Sequence, residues 1–308
     1  MTHTVTQEYL ERLVSDFELN PVSIRRNIQD CYSLSPEKFL HHAIGLLAKP
    51  GGSRAEGYLL SLLMQKEKLA VRLGDPDLCT KEEAVQIARR ASKIDPTFDR
   101  QIAHLLMGGL RLADEEITRL LAILDSISAP ANLLPLLNVL VQHGNPRIRS
   151  KATLMMGRSK RSVDWVMSQL TEPDSRVRAN AVESLWGMDG SDVVEAFLAA
   201  VQDPVARVAA NGALGLYRAR QTRSVELLMG FSQSESYQFR RSACWVMGQT
   251  QDPRFLRLLT KLVRDPDATV RSNALRAAST IRTHLNFLKQ EPIKIYVSKA
   301  EPSESGVR

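Results

Sequence analysis

Four arginines occupy the same register in the second half of this chain, and side chains of this type can bind anions. Each arginine directly follows a bulky apolar residue, which serves as the anchor of its repeat. The four are Arg149, Arg178, Arg240 and Arg271. A guanidinium group presents a planar fork of donors that fits carboxylate and phosphate groups, so such a ladder could hold an acidic partner. The third repeat carries Ala209 instead, which suits a dispensable brace better than a catalytic set.

A second set combines aromatic rings and arginines on one helix face. Most of its members lie six or nine residues after an anchor, and the last lies nearby on the same side: Trp186, Tyr217, Trp245, Arg276 and Arg241. Each residue of an α-helix turns by about 100°, which places this face opposite the apolar stripe that begins at the anchor. Because Trp, Tyr and Arg are enriched at protein interfaces, we interpret the set as a partner-binding surface. The alternative is that the rings fill gaps between adjacent repeats near the helix ends.

Residue types that serve catalysis or metal binding form no recognised pattern in this sequence. It contains no Gly-rich phosphate loop, nucleophile elbow or kinase signature. Cys31, Cys79 and Cys244 are too few and too scattered for a disulfide framework or a zinc site. The sequence therefore predicts a protein without catalytic residues, metal or cofactor.

Charge is unevenly distributed along the 308 residues, whose formal net charge is +7. Residues 1–144 hold 16 Lys and Arg against 18 Asp and Glu, whereas residues 145–290 hold 22 against 13, a net charge of +9. This basic half could attract acidic protein surfaces or, as a less favoured partner, nucleic acid. No apolar run approaches the ~18 residues of a membrane helix, and the N-terminus lacks a signal-peptide layout. A soluble cytoplasmic protein without membrane contact is expected.

The elements that must position these side chains recur along the chain. The anchors are Ile148, Val177, Val208, Phe239 and Val270, which lie 29, 31, 31 and 31 residues apart. Self-similarity at this period is typical of a solenoid, in which each repeat packs only on its neighbours. A corner precedes each anchor, because Asp and Asn can cap a helix start and Pro is tolerated in its first turn. The corners are Asn145-Pro146, Glu172-Pro173-Asp174, Asp203-Pro204 and Asp265-Pro266-Asp267, whereas Ser234 to Ser236 fill this place in the fourth repeat.

The chain divides into three predicted parts. Residues 130–283 form five helix pairs, and residues 284–308 form a largely disordered tail in which 293–297 could pair as a strand with another chain. Residues 1–129 are interpreted as degenerate repeats that cap the array, because terminal repeats need a polar outer face. The alternative is a separate helical domain. Helices are predicted in this part over 6–18, 22–33, 36–48, 53–73, 80–93, 97–111 and 114–127.

The corner, the anchor with its arginine, a small residue four positions later and a Leu-Gly-like ending resemble the HEAT-repeat family, close to the bacterial variety of the phycobilin lyases. Gly157 and Gly248 match the family's closing glycine, and Trp186, Tyr217 and Ser279 replace it in the other repeats. The resemblance implies an all-α fold, a right-handed α-α superhelix of the armadillo-like type, with the second helix of each pair on the concave side.

The resemblance also implies a structural role for the arginine ladder. In proteins of this kind such arginines brace neighbouring repeats by pairing with corner acids, which here are Asp174, Asp203 and Asp267. The HEAT-type hydroxylases rely on paired His-Glu motifs, and none of the six histidines of this chain is followed by Glu.

These observations favour a non-catalytic scaffold or adaptor that binds a protein partner along its concave face. One alternative is a nucleic-acid-binding HEAT-like protein such as an alkylpurine DNA glycosylase, whose basic solenoid holds a duplex with aromatic, Asp and Arg side chains. No motif of this chain allows the catalytic residues of that class to be carried over. A second alternative is a lyase-like or chaperone-like accessory factor.

Overall fold

The protein is built from α-helices joined by short corners. A computed structural model describes residues 5–49, 51–109, 112–128 and 130–290, and no β-strand occurs in these ranges. The first helices are α1 (Gln7–Ser15), α2 (Pro21–Leu34), α3 (Pro36–Ala48), α4 (Arg54–Lys66), α5 (Leu69–Arg72), α6 (Lys81–Ile94), α7 (Phe98–His104) and α8 (Asp114–Ile127). A π-helical turn, Leu105–Gly109, follows α7.

The remaining helices form the repeating pairs. They are α9 (Leu134–Leu140), α10 (Pro146–Lys160), α11 (Val163–Gln169), α12 (Ser175–Ser184), α13 (Ser191–Ala200), α14 (Ala206–Arg218), α15 (Arg223–Ser232), α16 (Tyr237–Thr250), α17 (Leu256–Leu262) and α18 (Ala268–Gln290). Single 3-10 turns, Pro130–Leu133 and Pro253–Phe255, precede α9 and α17. The predicted alternation of a first and a second helix over five repeats is confirmed.

The chain forms two compact units that divide between Ala196 and Phe197, within α13. This division does not coincide with the expected boundary between 129 and 130, which stays a prediction. Helix α18 continues to Gln290, past the predicted end of the array at 283, so the first residues of the expected tail are helical. Residues 291–308, including the candidate strand 293–297, lie outside the described residues.

Helix starts in the first unit follow from local capping. Asn20 Oδ1 accepts a hydrogen bond from the Ser23 N–H, and Pro21 occupies the first helical position of α2. Thr80 and Glu83 bond each other's backbone N–H at the start of α6, which is a capping box. Because these bonds satisfy amides that a helix start leaves open, the capping residues stabilise the starts of α2 and α6.

One apolar core extends through most of the first unit. It runs from Val5 on the N-terminal side through α1 to α10 and ends at Met156. Helix α8 packs against α6 and α10, and α10 packs against α12. The residues before 130 therefore share a continuous core with the first repeat.

The apolar stripe of the second helices is buried as the spacing predicts, with one exception in the second unit. Val208 and Val270 are fully buried. Phe239, the anchor of α16, is only half-buried, and its ring lies edge-on to Phe231 at 5.1 Å between centroids. The fourth residue after Val208 is Gly212, where the backbone of α14 lies close to the backbone of α13.

Corner residues accept backbone hydrogen bonds at or just before the start of the second helices in both units. In the first unit, Asn145 and Asp174 each accept a hydrogen bond of 2.8 Å from a backbone N–H two residues later. In the second unit Asp203 and Asp267 do the same, also at 2.8 Å. Ser234 replaces the acid in the fourth repeat, and its Oγ accepts from the Ser236 N–H at 3.2 Å. This bond is longer than the four above.

Candidate functional site

The four ladder arginines make the same pair of hydrogen bonds within their own repeats. Each donates Nη1 to the two carbonyl oxygens that lie six and five residues before it. In the first unit the acceptors are His143 and Gly144 for Arg149, both at 2.9 Å, and Glu172 and Pro173 for Arg178, at 2.7 and 3.0 Å. In the second unit they are Ser234 and Glu235 for Arg240, both at 2.8 Å, and Asp265 and Pro266 for Arg271, at 2.8 and 2.9 Å.

These bonds give the ladder a structural task. The accepting carbonyls belong to the corner between the two helices, where neither helix supplies an intrahelical donor. A guanidinium group that bridges two such oxygens stabilises the corner by about 1 kcal/mol per bond. One nitrogen of each guanidinium group is then engaged within its own repeat, which weakens the hypothesis that the ladder binds phosphates.

Arg240 additionally connects the fourth repeat with the corner of the fifth. Its Nε and Nη2 atoms donate to the two carboxylate oxygens of Asp265 at 2.8 and 3.0 Å. The side chain of Asp265 is only 4% exposed, and the hydrogen bonds from Arg240 hold the pKa of this carboxyl below its ordinary value. The acid expected to pair in this corner, Asp267, instead accepts hydrogen bonds from Thr269 and Val270 at the start of α18.

Helix α16 presents the most exposed part of the predicted contact surface. Arg241 and Trp245 are both exposed, and they lie one helical turn apart. Two further exposed side chains continue the same line at four-residue steps, Tyr237 before them and Gln249 after them. Tyr237 retains 42% and Trp245 38% of its accessible surface. We name Tyr237, Arg241, Trp245 and Gln249 the α16 stripe. Tyr237 was not among the predicted residues, although a step back of four positions from Arg241 finds it.

Tyr217 was expected on an open helix face, but the structure shows it half-buried. Its hydroxyl donates to Oδ2 of Asp252 at 2.7 Å, and its ring lies 6.2 Å from that of Phe255. Burial, and then the hydrogen bond to Asp252, raise the pKa of Tyr217. Arg254 donates Nε to the same Asp252 oxygen at 2.8 Å. The ring joins the end of α14 to the start of the fifth repeat, as in the alternative that such rings fill gaps between repeats.

Two cavities open beside these residues in the second unit. The larger, about 680 Å³, is lined by Tyr217, Arg254 and the stripe residue Gln249 among others. The smaller, about 580 Å³, is lined by Arg276, His284 and other residues of α18 together with Gln251. Both contain predicted contact residues, but Arg276 and Tyr217 line different cavities.

Trp186 belongs to the first unit. It lies in the turn that follows α12, is half-buried, and donates its backbone N–H to the Glu183 carbonyl at 3.1 Å. Of the five predicted contact residues, the structure brings Arg241 and Trp245 together on one helix face. Of the other three, Arg276 lines a cavity, Tyr217 joins two repeats, and Trp186 lies in a turn.

The described residues form neither a metal-binding cluster nor a membrane-spanning helix. No group of three or more His, Cys, Asp or Glu side chains in them has the arrangement of a metal site. None of their helices combines the length and the apolar character of a membrane span. Burial raises the pKa of the Cys244 thiol to about 12, which keeps this side chain an apolar core residue.

The HEAT-repeat family matches residues 133–216, 163–238 and 225–290. These overlapping stretches run from the first predicted repeat to the end of α18, and the chain belongs to the HEAT-repeat family. It is an all-α solenoid of HEAT helix pairs.

No curated protein matches this chain. Among solved structures, human deoxyhypusine hydroxylase in complex with glycerol is similar at a TM-score of 0.33 and 15% sequence identity, over 82% of this chain and 98% of that chain.

Proposed function

We propose that this HEAT-repeat protein is a non-catalytic cytoplasmic scaffold that binds an acidic protein partner through the second helices of its last two repeats. The observation that carries the proposal is the α16 stripe, which sets two aromatic rings and a cation in one exposed line. Large aromatic and arginine side chains of this kind contribute most of the binding energy at protein interfaces.

A comparison of equivalent positions supports this location. The second and sixth positions after the anchor are Ala210 and Leu214 in α14, and both are buried. The same positions in α16 are Arg241 and Trp245, and both are exposed. In α16 the core does not cover these two positions, and an interface would use the cation and the indole that occupy them.

Charge supports an acidic partner. Residues 145–290 hold 22 Lys and Arg against 13 Asp and Glu, and the ladder arginines among them are engaged in corner bonds. Arg241 and Arg276 are exposed. A partner surface rich in Asp and Glu would meet these cations and be steered toward them at low ionic strength.

The test compares partner capture by two double variants. Arg241→Ala with Trp245→Ala removes one cation and one large apolar side chain from the α16 stripe. Arg257→Ala with Met229→Ala removes the same kinds of side chain from exposed positions on α17 and α15, and serves as the matched control. Proteins captured from the native cell are identified by mass for wild type and both variants. Loss of the same acidic protein with the stripe variant alone is the expected result.

The wild type and the two double variants also distinguish between the function classes. Equal capture by the stripe variant and the control variant would rule out the α16 stripe as the contact surface. Binding to duplex DNA that falls steeply between two salt concentrations would instead favour a nucleic-acid partner, because such binding releases counterions. Release of a base from alkylated DNA would favour the glycosylase class.

A further inference from the structure

A cavity of about 440 Å³ lies in the first unit between the end of α4, helix α5 and helix α7. Its volume falls in the range of small-molecule pockets, about 300–1,000 Å³. The wall consists of Met64, Lys68, Ala70, Val71, Thr97, Arg100, Gln101, His104 and Leu105. It is built entirely from the first unit and does not involve the α16 stripe.

The wall of this cavity contains two cationic side chains and no anionic one. Lys68 and Arg100 are both exposed and form no ion pair with any residue that the structure describes. The lining residues include no Asp or Glu. The nearby carboxylate of Asp95 is engaged, because it accepts hydrogen bonds of 2.7–2.8 Å from Thr97 and Gln101. The cavity thus contains two positive charges without a compensating negative charge in its wall.

The other part of the wall is apolar. Met64, Val71 and Leu105 are half-buried and Ala70 is buried. Apolar walls with a small number of placed polar groups are typical of ligand sites. A ligand that fits both parts has an anionic head group and an apolar body.

The backbone on both sides of the cavity departs from regular helix. Lys68 adopts the left-handed conformation at φ 49° and ψ 58°, between α4 and α5. A residue other than glycine in this region costs about 1 kcal/mol or more. On the opposite side α7 passes into the turn Leu105–Gly109, in which Gly108 leaves the helical region at φ 117°. Lys68 supplies a cation to the cavity despite this strain.

We propose that this cavity binds a small amphipathic organic anion, with a carboxylate, sulfonate or phosphate group held by Lys68 and Arg100 and an apolar body against Met64, Val71 and Leu105. Arg100 can offer two parallel N–H donors to such a head group, and Lys68 adds a point charge. The site is independent of the partner surface on α16.

The probe is anilinonaphthalene sulfonate, which combines a sulfonate with an apolar aromatic body and becomes fluorescent in apolar surroundings. It is titrated onto the full chain beside phenylnaphthylamine, the same aromatic body without the charge. The test variant is Lys68→Gly with Arg100→Ala, and the control variant is Lys66→Ala with Lys93→Ala. The controls remove two exposed cations that do not line the cavity. Lys68→Gly relieves the left-handed backbone, so the test variant keeps its fold.

Saturable binding of the sulfonate is expected for wild type and the control variant. The test variant should bind it about tenfold more weakly, because two charge-assisted contacts are lost. The uncharged amine should bind wild type and the test variant equally. Equal affinity of wild type and the test variant for the sulfonate would overturn the proposal, as would the absence of saturable binding. This binding test does not depend on whether the α16 stripe captures a partner.

Discussion

Replacing Gly212 by alanine should destabilise the second unit, because part of α13 lies directly against this position. A Cβ atom there would lie 2.8 Å from the carbonyl oxygen of Phe197, 3.0 Å from Cβ of Ala200 and 3.1 Å from Cγ1 of Val201. The first of these obstacles is backbone, so rotation of a side chain cannot remove it. The two helices would have to move apart, and the buried apolar contacts between them would loosen.

The expected loss can be worked out from two opposing effects. Over-packing a close contact costs about 1–3 kcal/mol, and a backbone obstacle places this case near the upper end. Alanine is favoured over glycine in a helix interior by about 1 kcal/mol. The free energy of unfolding should therefore fall by about 2 kcal/mol. Gly230 on α15 is the matched control, because nothing lies within 4 Å of its Cβ position, and Gly230→Ala should gain up to about 1 kcal/mol.

Urea unfolding followed by circular dichroism compares the two variants with wild type. Hydrogen exchange of peptides from α13 and α14 shows whether the loss of stability lies in these helices. This second measurement is needed because a chain with two units need not unfold in one step. We expect faster exchange in these peptides for Gly212→Ala and unchanged exchange in α1 to α8. A Gly212→Ala protein as stable as the Gly230→Ala protein would refute the close packing of α14 on α13.

Two further predictions concern buried polar groups. The lowered pKa of Asp265 means that its ionised form stabilises the fold above its ordinary pKa of 3.8 and that this contribution is lost as pH falls through the lower folded value. Asp265→Asn should reduce stability by about 1–3 kcal/mol at neutral pH and should weaken the fall in stability that urea unfolding shows as the pH drops below 3.8; an unchanged fall would contradict this. The hydroxyl of Thr153 is buried and has no hydrogen-bond partner among the described residues, so Thr153→Val should gain about 1 kcal/mol, and a lower melting temperature would contradict that reason.

Most of the helix boundaries could be predicted from capping residues and apolar spacing. The predicted helix over 36–48 matches α3 (Pro36–Ala48), because a proline marks its start and a break follows. The predicted helix over 53–73 is interrupted, since α4 ends at Lys66 and Lys68 turns into the left-handed region. No glycine or proline stands there, so nothing in the local sequence indicates the break.

The candidate site was harder to predict for a reason that Tyr217 illustrates. Helical spacing gives the direction of a side chain relative to its own helix axis. It does not show which neighbour occupies that direction, and the neighbours of Tyr217 are Asp252 and Phe255, about 35 residues later. The ladder arginines show the same limit, because their acceptors are main-chain carbonyls that any residue type supplies. Trp245 and Arg241, by contrast, were predicted as contact residues and lie exposed on one face.

The division of labour within each repeat explains why the sequence specifies a fold more strongly than a partner. The anchor and the small residue four positions later build the core, and the arginine after the anchor closes the corner. The second and sixth positions after the anchor differ between repeats. In α14 these two positions are filled by buried Ala210 and Leu214, and in α16 by exposed Arg241 and Trp245. Because the later helices are relieved of packing at these positions, their side chains can change without cost to the array, and a binding surface can form there.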